Sequence, residues 1–256
     1  MNPRTTLIER LGLHRLLLLL TFLAFISLGL PDGLLGVAWP SIAGTFGLPL
    51  SRLAILQIGM TGGFFISSTN AGRLIEALGV GKLLIASNVC IAIALAGYAS
   101  ALSWPILIAS SLVLGLGGGA VDAGMNAYAA QRFTKEEVTT LHAFYGVGAM
   151  LGPIIMRGSL HGPGGWRSGY GITLGAIALL LVIFLLSRRL WYREDASSSQ
   201  SESDQAGAES RGAKAAGRVA FLGVLLFLVY TGLEVVLGAW SFSLLTESRG
   251  VGGDAA

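Results

Sequence analysis

Charge is scarce in this chain. Of its 256 residues only 12% are Asp, Glu, Lys or Arg, about half the share of an ordinary soluble domain. That deficit excludes a fully hydrated surface. Cysteine occurs once, at Cys90, which rules out an intrachain disulfide or a metal site built on cysteines. Lysine occurs three times, at Lys82, Lys135 and Lys214. All three fall in polar connections, so no apolar segment carries the Schiff-base lysine that a seven-helix retinal protein needs. The three histidines and the scattered serines show no nucleophile–base spacing, which argues against an intramembrane hydrolase. No enzyme activity, cofactor or metal is expected.

What the chain has in abundance is apolar sequence, 53% of the residues. Seven runs are long enough to cross a bilayer as helix, which takes ~20 residues: 14–44, 52–75, 80–102, 104–132, 138–160, 168–190 and 219–245. Membrane β-strands would be ~10 residues long and would alternate in polarity, so the reading is an all-α membrane protein. Arg4, Arg10 and Arg15 precede "LLLLLTFLAFISLGL" in the manner of a signal peptide. The run continues too far and lacks a small-residue cleavage site, so it is read as a retained first span.

Basic residues set the orientation. With the N-terminus inside, 13 of the 17 Lys and Arg residues fall in cytoplasmic segments; only Arg52, Arg157, Arg167 and Arg249 fall outside. The positive-inside rule therefore places the N-terminus in the cytoplasm of a multi-pass protein of the cell membrane. It also accounts for the net charge of +3 without a nucleic-acid partner. Residues 191–217, "WYREDASSSQSESDQAGAESRGAKAAG", are too polar and too low in complexity to bury a core. They read as a disordered cytoplasmic linker. The organisation is a six-helix bundle (1–190), the linker, and a seventh helix (218–256) that looks like the start of a missing second half.

Three carboxyl groups lie deep in apolar spans: Asp32, Asp122 and Glu234. A carboxylate in hydrocarbon is costly unless paired, wetted or protonated, so such residues point to function. A carboxyl poised between charged and neutral is what a proton carrier needs; a purely structural hydrogen bond is the competing reading. The acids sit on the first, fourth and seventh spans. "DGLLGVAW" at Asp32 and "EVVLGAW" at Glu234 share an acid followed by Gly and Trp. This three-helix period suggests an internal repeat. Asn126 lies one turn from Asp122 on the same face and could bond a polar solute or Asp122 itself. His142 could shuttle protons, bind solute, or be structural. Trp39, Tyr128, Tyr145, Tyr230 and Trp240 could stack on a sugar ring or sit at the interface. "GLPDG" (29–33) should weaken the first helix beside Asp32. "GAMLGP" (148–153), with Gly148, Gly152 and Pro153, should make a close and bendable crossing. Gly115, Gly119 and Gly124 suggest helix packing.

With these features in view, the chain resembles the N-terminal part of a major facilitator superfamily transporter, nearest the fucose-permease-like sugar:proton symporters. The resemblance rests on "GLPDGLLGVAWPSIAGTFGLPLSRLAILQ", "DAGMNAY", "LHAFYGVGAMLGP" and "YTGLEVVLGAW". It implies two inverted three-helix repeats in the six-helix bundle, with Asp32 and Asp122 tied to protonation and sugar binding. "GRLIEALGVGK" resembles the superfamily's gating loop between its second and third helices. Gly72, Glu76, Gly79 and Lys82 keep the outline, while Ala77 and Gly81 replace two basic positions. Met156 and Arg157 stand where glycines follow the Gly-Pro of an antiporter motif, so that motif does not choose symport over antiport. The family has twelve helices, and this chain ends where the eighth would begin. It is therefore expected to be a truncated half plus one helix, inactive alone or paired with a second copy or with the missing C-terminal half. The expected partners are membrane lipids, a small solute and protons. The expected activity is proton-coupled uptake of a polar solute such as a sugar. Export of amphipathic compounds is the alternative in the same fold, and a nonfunctional or regulatory half-transporter is the alternative of another class.

An epitope fused to the N-terminus should be inaccessible to antibody in intact cells and exposed after permeabilisation. A tag in the 46–51 connection should react in intact cells. The opposite pattern would invert the topology.

Overall fold

In the computed structural model of the chain, residues 3–198, 225–226, 229, 232–233 and 236–250 are described. The chain divides into two units, 1–193 and 194–256. In the first, α1 (Pro3–Asp32) and α2 (Leu34–Phe46) are separated at Gly33. A 3-10 turn, Leu50–Arg52, leads into α3 (Leu53–Thr69), followed by α4 (Ala71–Leu78), α5 (Val80–Ala99), α6 (Trp104–Arg132), α7 (Lys135–Leu160) and α8 (Gly165–Ser198). Six helical segments of the described residues are long and apolar enough to span a membrane: Gly12–Phe46, Leu50–Thr69, Val80–Ala99, Trp104–Arg132, Lys135–Leu160 and Gly165–Trp191.

Local chemistry sets the boundaries. Gly47, at φ 63°, closes α2 in the left-handed conformation that glycine adopts at low cost. Ser103 is extended, and Pro105 occupies the first turn of α6, where a missing N–H is tolerated. Thr134 and Glu137 cap α7 reciprocally: the Glu137 N–H donates to Thr134 Oγ1 (3.3 Å) and the Thr134 N–H donates to Glu137 Oε2 (2.8 Å).

The first span is interrupted at Gly33, where Pro31 and the two flanking glycines are expected to weaken it. In two other spans the boundaries differ from those read in the sequence. The second ends at Thr69, and its expected last residues belong to α4, a separate short helix with an apolar and a polar side. α8 continues to Ser198, so the polar stretch expected to be disordered from 191 begins as helix; 199–217 lie outside the described residues. In the second unit, residues 236–243 are helical and Leu244–Ser248 form a π turn.

Packing in the first unit has an internal symmetry. α1 lies along α7, and α3 lies along α6, which also packs on α5. If the first three spans are superposed on the next three, the first-to-fifth contact maps onto the fourth-to-second contact; both are present. The first-to-sixth contact maps onto the fourth-to-third one. It appears where Trp166 Nε1 of α8 donates to Thr45 Oγ1 of α2 (3.0 Å). This is the pattern of two repeats of three helices.

Both principal crossings are backbone against backbone. A Cβ on Gly148 would stand 2.5 Å from the carbonyl oxygen of Ile26, and one on Gly29 2.8 Å from the amide nitrogen of Ala149. A Cβ on Gly115 would stand 2.7 Å from the Met60 carbonyl carbon, and one on Gly63 2.9 Å from the Leu116 nitrogen. In lipid, helices gain little hydrophobic drive toward each other, so close contact along small residues carries the association.

Replacing Gly148 by Leu should lower the thermal stability of the detergent-solubilised chain, at a cost of about 1–3 kcal/mol from overpacking. Gly146, on the same helix, has nothing within 4 Å of a Cβ, so Gly146→Ala should leave the melting temperature unchanged. Equal effects would refute the crossing.

Candidate functional site

The break between α1 and α2 leaves Asp32 as the last residue of α1, with its side chain exposed. Across the α1–α7 crossing, the Tyr145 hydroxyl donates to Asp32 Oδ2 at 2.6 Å. The length is that of a short O–H···O hydrogen bond. It forms because Gly29 lets the α7 backbone at Tyr145 approach α1, one turn before the acid.

The second acid sits on α6. Asp122 is half-buried, and its Oδ1 accepts from Asn126 Nδ2 at 2.9 Å, one helical turn on. His142 of α7 stands within electrostatic reach of the Asp122 carboxylate. Its ring meets Phe25 of α1 edge-on, with centroids 5.4 Å apart. One turn along, Phe144 stacks on Phe22 at 4.4 Å.

α7 is thus the common element. His142 and Tyr145 are three residues apart and share a face. One approaches Asp122 on α6 and the other holds Asp32 on α1. The depths differ: His142 is level with Phe25, seven residues before Asp32, which is ~10 Å along the axis at the helical rise per residue. Both acids accept a hydrogen bond from a side chain. Such an arrangement can accept a solute hydroxyl or amine and can take up a proton.

The structure brings together five of the six residues expected to couple or bind. The sixth, Glu234, lies outside the described residues, as does Tyr230. Of the aromatic candidates for ring stacking, Trp39 is fully buried and donates its indole N–H to the Leu50 carbonyl (2.8 Å). Tyr128 is also buried, edge-on to Phe133 and Trp191. Both pack inside the first unit, Trp39 in the middle of α2 and Tyr128 near the end of α6. Trp240 is half-exposed in the second unit. In the gating-loop outline, Gly72, Glu76 and Lys82 are exposed, and Gly79 joins α4 to α5 at φ 73°. Gly148 and Gly152 form the α1–α7 crossing, and Pro153 rests on Gly33.

Sequence reasoning missed two features. Gly59 and Gly63 seat α3 on α6; their four-residue spacing was the available signal. Near the N-terminal ends of both helices His14 Nε2 meets Glu137 Oε1 at 3.0 Å, tying α1 to the capped start of α7. A pair 123 residues apart leaves no local signal.

Comparison with known proteins agrees with this architecture. A model of the Major Facilitator Superfamily matches residues 17–256. The chain is 23% identical over 262 residues to "Bypass of stop codon protein 6" of Saccharomyces cerevisiae, covering 94% of this chain and 52% of that protein. Its fold is similar to the crystal structure of a mutant of the peptide transporter POT in complex with sulfate, with a TM-score of 0.56 and 17% identity, over 85% of this chain and 45% of that one. The chain therefore spans about half the length of the relatives it matches. It is a multi-pass, all-helical membrane protein, and it belongs to the Major Facilitator Superfamily, a family of transporters and not of enzymes.

Proposed function

We propose that the six-helix unit forms one wall of a secondary transporter that couples proton movement to uptake of a small polar solute, such as a sugar, by alternating access, with its N-terminus in the cytoplasm. The observation that carries this reading is the placement of two membrane-depth carboxyl groups on different helices. Each is held by a side-chain donor, Tyr145 for Asp32 and Asn126 for Asp122, and both are reached from one face of α7. A carboxylate with an exchangeable hydrogen-bond partner can trade that partner for a solute hydroxyl, and protonation removes its charge before the wall reorients. Glu234 on the seventh span is proposed as a third acid of the same kind, and the loop from Gly72 to Lys82 as the cytoplasmic gate.

The wall needs a facing half. α3 exposes Ile58, Phe64, Phe65 and Ile66, and α7 exposes Val147, Met150 and Ile154. These faces suit lipid, a C-terminal half or a second copy.

Uptake of radiolabelled monosaccharides into vesicles containing the protein joined to a facing half, under an inward proton gradient, tests the reading. For one proton per solute, each pH unit is ~1.4 kcal/mol and supports about tenfold accumulation. An uncoupler should abolish accumulation. Asp122→Asn should retain equilibration and lose accumulation. Accumulation that survives both would overturn proton coupling.

A further inference from the structure

Two weakened helices face each other at the acid nearest the helix break. α1 carries Pro31 and ends at Asp32, and α7 carries Pro153. A Cβ on Gly33 would lie 2.5 Å from the Cδ and Cγ of Pro153 and 3.0 Å from the carbonyl oxygen of Ala149. That carbonyl is the one that Pro153, lacking an N–H, cannot bond. The contact therefore joins the softest point of one helix to the softest point of the other. The Tyr145–Asp32 hydrogen bond spans the same crossing, two turns from Pro153 along α7.

We propose that Tyr145 is a positioning residue that reports the charge of Asp32 to this paired hinge. With Asp32 ionised, the charge-assisted bond from the Tyr145 hydroxyl holds α1 and α7 closed against each other. With Asp32 protonated, the bond is neutral and about half as strong, and the Gly33–Pro153 contact loosens. The inference rests on the reading of Asp32 as a proton-carrying group. It adds what that proton does: it converts a change of charge into freedom at the one place where both helices lack a full set of backbone bonds.

The titratable groups nearest this crossing on the elements around it are His142 on α7, one turn from Tyr145, and Asp122 on α6; His14 and Arg15 on α1, Arg132 on α6 and Lys135, Glu136 and Glu137 on α7 lie toward the opposite ends of their helices. α2 has none, and Arg157 on α7 is three turns beyond Tyr145 and one turn beyond Pro153. A charged His142 would favour the Asp32 anion and a charged Asp122 would oppose it. Replacing Asp32 itself isolates its contribution from theirs.

The test uses the full chain in lipid nanodiscs. Amide hydrogen exchange is followed over 27–36 and 146–156, corrected for the intrinsic pH dependence of exchange. In the wild type, protection at both segments should fall several-fold as pH is lowered through the Asp32 titration. Tyr145→Phe, which keeps the ring, and Asp32→Asn should each exchange fast at every pH, and the double variant no faster than either. The wild-type profile needs no variant to fold. A flat wild-type profile overturns the proposal, as does a Tyr145→Phe profile that still follows pH as the wild type does. Infrared difference spectra separate the two levels of failure. A carboxyl band lost in Asp32→Asn that titrates while exchange stays flat refutes the latch and leaves Asp32 a proton carrier. A band that never titrates refutes both.

Discussion

The contact on which the rest depends is backbone against backbone, where α1 meets α7. Lipid offers no aqueous penalty to drive two apolar helices together, so their association depends on how closely they can approach. Gly29, Gly148 and Gly152 remove the side chains that would hold the axes apart. The consequence is chemical as well as mechanical. Only at this separation can the Tyr145 hydroxyl reach Asp32 at 2.6 Å, and only then does His142 sit on Phe25 with Asp122 within range of its charge. The same device, built from Gly63, Gly115 and Gly119, joins α3 to α6 and brings the helix that carries Asp122 into the wall.

A membrane-depth acid must be either neutralised or given polar company. Asp32 and Asp122 have side-chain company, and the donors differ in kind. Asn126 is on the same helix as its acid, so that pair moves as a unit. Tyr145 is on another helix, so its bond to Asp32 is made or broken when α1 and α7 shift.

Much of this was readable in the residues, for physical reasons that can be named. The spans announced themselves because the hydrocarbon core demands ~20 apolar residues per crossing, and α6 runs over the same 104–132 stretch that hydropathy outlined. The acids stood out because charge is expensive there. The Gly148–Pro153 stretch was legible as a close crossing because a four-residue small-residue spacing puts both glycines on one face. The identity of the opposing helix was not, since nothing local in "GLPDG" distinguishes a kink from a seat for α7; Gly29 and Gly33 both lie against α7. The Asp32–Tyr145 bond joins residues 113 apart and has no local trace. The aromatic residues left stacking and interface placement open for a related reason: Trp39 and Tyr128 have the composition of a sugar platform, and only packing shows that they are enclosed.

The central claim is that both acids open onto water inside the membrane plane. Its most direct test is thiol labelling of Asp32→Cys and Asp122→Cys, each in a Cys90→Ser background, in sealed vesicles. The account predicts that a charged, membrane-impermeant maleimide modifies both positions and that the small polar solute slows the reaction. Labelling of either position by lipid-soluble maleimide alone would contradict it.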